Sequence, residues 1–204
     1  MDMLLVALTV AVVLWHLKRQ DQRQRMALLG SHLSRFQIEK HMETLHQGYM
    51  RALGEEDAGR REQIWQLMQS TEQALAQQFI RFAADFSLVN EAQTRVSRLP
   101  FYFPWVTRFI PAATFDMRKA LAVHANGIGK AVGADTATAP KARAYTISAE
   151  LFLMQHTCHW FCKSRLVATA RLAARHQTGY AQTLAAVGAE TRSLYLTLVG
   201  SPPR

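Results

Sequence analysis

The chain has 204 residues, a net charge of +9 and a sequence pI of about 10.1, with 49% apolar and 19% charged side chains. This composition excludes an intrinsically disordered chain, and the length suits one domain with its own core plus an anchor. Two cysteines, Cys158 and Cys162, are too few for a disulfide framework.

The charge is unevenly placed. Residues 31–97 carry seven basic and nine acidic side chains, whereas residues 98–204 carry thirteen basic and four acidic. The second half therefore seeks an anionic partner or presents a solvated basic face. Its basic residues are scattered singly rather than gathered on one arm, so nucleic acid is not expected as a partner. Arginine outnumbers lysine eighteen to six, a bias that suits a GC-rich bacterial genome.

Residues 3–17 read MLLVALTVAVVLWHL, without a charge. Apolar side chains lie all round the helix, which calls for lipid rather than a one-sided core. Fifteen residues rise roughly 22 Å, less than the ~30 Å hydrocarbon layer, so Lys18 and Arg19 must snorkel or the bilayer must thin. A cleaved signal would need a basic start and a small-x-small site; Asp2 and the ending Trp-His-Leu-Lys provide neither, so a retained anchor is expected. Lys18, Arg19, Arg23 and Arg25 follow the run and almost nothing precedes it. The positive-inside rule then puts the N-terminus outside and the body in the cytoplasm, at a bacterial inner membrane. Two unpaired thiols fit that compartment.

After this anchor and its basic flank (residues 1–25), an antiparallel helical hairpin is expected over residues 26–98. Its first stripe runs Met26, Leu29, Leu33, Phe36, then shifts phase to Ile38, Met42, Leu45, Tyr49, Leu53; the shift reads as a stutter in one helix. Gly54 and the sequence GEEDAG form the turn. The second stripe runs Ile64, Leu67/Met68, Thr71, Leu75, Phe79, Phe82, Phe86, Val89, helical to about Ser97. Two helices of matched length return the chain to the bilayer.

What arrives there is LPFYFPWVTRFIP, residues 99–111, broken by three prolines. Phe101, Phe103, Trp105 and Phe109, with Arg98 and Arg108, suit a headgroup interface. The competing reading is a connector that plugs the end of the bundle.

Helices over residues 112–132, 141–176 and 178–199 should pack on the hairpin, with Tyr180, Leu184, Val187, Thr191, Leu194 and Leu198 as the last stripe. Residues 201–204 are a tail. No convincing strand is visible, and the expected class is all-α: an anchor helix, a long hairpin and a bundle.

The sharpest chemical cluster is Cys158, His159 and Cys162, within one arc of a helix. These groups could bind zinc or copper(I), with His124 as a fourth ligand, or the thiols could form a redox pair. Both cysteines lie on the apolar stripe, which favours core packing. Glu43 and His46 match half of a di-iron helical motif whose second half is missing. No catalytic residue and no cofactor is expected. The favoured reading is an interaction or scaffold protein of a membrane complex, touching lipid through residues 3–17 and in one reading 99–111, and binding a protein partner or itself. A metal- or thiol-dependent bundle and a peripheral binder of anionic lipid are the alternatives.

Overall fold

The computed structural model describes residues 2–102, 110–134 and 139–200, and within them the protein is all-α as expected. Helix α1, Asp2–Leu33, runs unbroken for 32 residues. Its apolar part is exposed, Met3 88% and Val10 52%. Its second part is built into the body, where Leu29 is buried and Arg25 bonds the carbonyl of Arg95.

The phase shift after Phe36 is a break, not the expected stutter. Helix α1 stops at Leu33 and α2, Ile38–Gly54, starts afresh. Ser31 and Ser34 turn their hydroxyls onto the carbonyls of Leu28 and Ser31, a local bond that competes with helix. Gln78 Oε1 then accepts the backbone N–H of Gln37 at 2.9 Å, satisfying a donor at the new helix start.

Helix α3, Ala58–Ser87, is capped by Asp57, whose carboxylate accepts from Arg60 N–H at 2.7 Å. It runs back along α2 and then along α1. Tyr49 meets Glu72, the Phe36 and Phe82 rings lie 5.9 Å apart, and His32 meets Asp85 at 2.6 Å. Beyond α3 the ladder continues with Arg25 against Arg95 and Lys18 over the Tyr102 ring at 6.0 Å. The chain thus returns to the foot of its apolar helix, by a longer route than two matched helices.

Helix α3 ends at Ser87, ten residues short of expectation. A single turn, α4 (Glu91–Thr94), leads into strand β1, Arg95–Ser97, which pairs antiparallel with β2, Thr114–Asp116. This ribbon was not anticipated. Three-residue strands carry too few alternations to register as a period. Asp116 pins it by accepting from Thr94 and Arg118, and Trp160 Nε1 donates to the Ser97 carbonyl at 2.8 Å. The aromatic connector is therefore the loop that this ribbon closes.

Helix α5, Met117–Val132, buries Met117, Leu121, His124 and Ile128 on one face. The helix expected over 141–176 divides at Lys163 into α6, Pro140–Cys162, and α7, Arg165–His176; Ser164 caps α7 by accepting from Val167 N–H. The last expected helix also divides, into α8, Tyr180–Ala186, and α9, Ala189–Val199. The new start shifts the phase: Thr191, Tyr195 and Val199 are buried, while Leu194 is 44% exposed. Gly188 begins α9 because its N–H donates to the buried Glu150 carboxylate at 3.0 Å.

Candidate membrane interface

Three stretches meet at the foot of the apolar helix. Lys18 and Asp21 on α1 flank Tyr102, whose hydroxyl is pushed above its ordinary pKa by burial first and the Asp21 charge second. Lys163, at the corner between α6 and α7, donates to Gln22 at 3.2 Å. Leu166 N–H donates to the Pro100 carbonyl at 3.1 Å. Anchor, connector and corner form one contiguous end of the molecule. Phe101 is 58% exposed there.

Arg98, expected at the headgroup interface, is hydrogen-bonded within the body. Its guanidinium donates to the carbonyls of Ala112 and Leu198, tying the connector to α9. Arg25, counted among the flanking charges, is likewise committed to the body. It pairs with Asp21 at 2.8 Å and stacks over Phe161. Phe103, Trp105, Arg108 and Phe109 lie outside the described residues. The apolar stripe of α6 runs in phase into α7 and masks the corner at Lys163 in the sequence; the Ser164 cap three residues before Val167 is its local signal.

The cysteines and histidines are arranged for packing. Cys158 Sγ lies 3.7 Å from Met154 Sδ, and Cys162 is buried. Burial raises both thiols, Cys162 to about 11, which keeps them protonated and poor as ligands or nucleophiles. His159 faces Arg171, its Nδ1 3.2 Å from the guanidinium, and burial with that charge lowers its pKa. His124 is engaged elsewhere, with Thr157. Among the described residues no three His, Cys, Asp or Glu side chains converge to hold a metal ion. The Glu43–His46 pair is exposed on the wall of a groove of about 840 Å³ between α2 and α6, near His176 and Gln155.

Replacing both cysteines by alanine is expected to cost on the order of 1–2 kcal/mol of stability and nothing else, with serine worse than alanine because its hydroxyl would be buried without a partner. Denaturant unfolding checks the cost. Stoichiometric zinc lost only in the variants would refute packing as their role.

A buried polar centre joins α5, α6 and α9. Thr157 Oγ1 donates to the Leu153 carbonyl at 2.9 Å. Its oxygen also lies 2.9 Å from His124 Nε2 and 3.1 Å from the Tyr195 hydroxyl. His156 bonds Thr169 at 3.1 Å, and Arg165 lies between the Trp160 and Tyr180 rings. Burial first, then neighbouring positive charge, lowers His124 and His156 to about 3.

A second buried knot joins α2, α3 and α6. The Tyr49 hydroxyl donates to Glu72 at 2.8 Å, and Arg143 Nε lies 3.2 Å from the other carboxylate oxygen. Both charged side chains are almost wholly buried. On the surface, α3 and α5 form an open groove of about 490 Å³, floored by Ala83, Ala122, Ala125 and Gly129 and edged by the exposed Ile80.

These features define an all-α protein with one N-terminal helix long and apolar enough to cross a membrane. Compared with known proteins, the chain matches no family model, no curated protein and no solved structure.

Proposed function

We propose that this chain is a single-pass, membrane-anchored helical adaptor that holds its body at the cytoplasmic face of the membrane and binds another protein or a second copy there. The observation that carries this reading is the division of α1. One half is apolar and exposed, and the other half is part of the core. Exposed Met3, Leu4, Val6, Leu8 and Val10 would be a severe aggregation liability in water and are ordinary in lipid. The groove between α3 and α5 supports the binding half. Its alanine and glycine floor lets a partner's backbone approach closely.

A reporter fused after Arg204 should behave as cytoplasmic, and changing Lys18, Arg19 and Arg23 together to Gln should scramble its orientation. Arg25 is left intact because the body depends on it. The same protein, drawn from its own membrane in mild detergent, should emerge at a mass above the monomer's, with Ile80→Arg reducing it to the monomer. A reporter active only outside the membrane would overturn the topology. Wild-type protein that is monomeric and alone would overturn the adaptor reading.

A further inference from the structure

The corner between α6 and α7 faces the same zone as the end of the apolar helix, yet it lies more than 140 residues away in sequence. Lys163 Nζ is 3.2 Å from Gln22 Oε1. Gln22 stands four residues beyond Lys18 on an unbroken helix, so about 6 Å further along the axis. The headgroup layer adds roughly 5–8 Å on each side of the hydrocarbon. A group at the level of Gln22 therefore lies within or just at the edge of that layer, provided Lys18 marks the hydrocarbon boundary.

The chemistry at the corner fits lipid. Leu166 is 52% exposed and Val167 38%, both in the first turn of α7, an awkward place for apolar side chains on a water-facing surface. The neighbouring exposed apolar residue is Phe101, next to the Pro100 that receives the Leu166 N–H. Charge complements an anionic surface: Lys18, Arg19, Arg23 and Lys163 are cationic, while Asp21, the acid among them on α1, is already paired with Arg25. Arg165 takes no part, because it is held between two rings of the body.

We infer that the corner spanning residues 163–167 is a second lipid-contact site, in which Leu166 and Val167 enter the headgroup layer of an anionic bilayer and Lys163 pairs with lipid phosphate. The inference rests on the reading of α1 as a membrane span. A body touching the bilayer at two separated points is fixed in azimuth as well as in height. A single helix alone leaves the body free to rotate about the helix axis.

Site-directed spin labelling tests this in the full chain, with Cys158→Ala and Cys162→Ala as background, reconstituted in vesicles of phosphatidylglycerol and phosphatidylcholine. Labels are placed singly at Val10→Cys, Leu166→Cys and Leu67→Cys, the last an exposed residue in the half of α3 nearest the hairpin turn. Accessibility to oxygen relative to a water-soluble nickel chelate reports depth. The label at position 166 should give a ratio several-fold above that at position 67 and below that at position 10. Adding Lys163→Glu should return it towards the value at 67. An aqueous reading at 166 with a hydrocarbon reading at 10 overturns the corner and leaves the anchor standing. An aqueous reading at 10 overturns the anchor itself. If Lys163→Glu leaves the depth at 166 unchanged, the lysine–phosphate pairing is wrong.

Discussion

Replacing Glu72 by leucine is expected to destabilise the body by about 3–5 kcal/mol, enough to unfold much of a marginal domain. The carboxylate accepts from the Tyr49 hydroxyl and neutralises Arg143, and all three side chains are buried. Removing it leaves a guanidinium in the interior without a counter-charge and a phenol without an acceptor. Arg143 Nε and Nη2 both lack a hydrogen-bond partner among the described residues, so the guanidinium relies on the neighbouring Glu72 charge. The effect should be one of broken pairing rather than lost contact. The double variant Glu72→Leu/Arg143→Met should therefore recover most of the loss, since a buried pair contributes little over apolar side chains of similar volume. Unfolding by urea, followed by circular dichroism in detergent, separates the cases. A single variant within 1 kcal/mol of wild type would show that the knot is hydrated in solution.

Acidification should produce the other large effect. His124 and His156 are neutral in the folded protein, with pKa values of about 3, whereas an unfolded chain protonates histidine near 6.5. Between those values the unfolded state binds more protons, so stability falls as pH falls. Above 6.5 neither state is protonated and the pair contributes no slope. Each histidine is worth about 1.4 kcal/mol per pH unit below 6.5, so the two together should remove about 4 kcal/mol by pH 5. Glu150 works in the opposite direction, because burial raises its pKa and its ionisation opposes folding as pH rises. The clean readout is the difference between wild type and His124→Gln/His156→Gln, measured as melting temperature against pH. Wild type should lose the larger share on acidification. The His124 and His156 imidazole resonances of the wild type should stay neutral down to pH 5; titration of either near 6.5 would contradict the buried, uncharged centre.

The parts of this fold that were legible in the sequence are those with long periods. The all-α class, the apolar helix, the turn at Gly54 and the stripe through Phe79, Phe82 and Phe86 all follow from spacing over several turns. The breaks were hidden for the opposite reason. A stripe that resumes in a nearby phase looks continuous, so the interruptions after Leu33, Cys162 and Ala186 vanish into it. Each is set by a side-chain bond instead: Gln78 to the Gln37 N–H, Ser164 to Val167, Glu150 to Gly188. Two of these partners are distant in sequence, and only the Ser164 cap was local enough to read. The interface fared similarly. Aromatic and basic composition singled out the connector, but composition could not show that Arg98 is claimed by carbonyls at Ala112 and Leu198. Nor could it show that Glu72 and Arg143, some seventy positions apart, would share one site.

The unbroken length of α1 has a mechanical meaning. At ~48 Å it is a stiff rod, apolar and exposed at one end and bolted to the core at the other, with its first joint only at Ser34. A rod of this kind transmits angle. If α1 tilts by about 20°, Leu33 moves sideways by about 8 Å relative to Lys18, and the whole bundle swings with it. On the proposed membrane-anchored reading, the angle of α1 thereby becomes a lever on where the groove between α3 and α5 points.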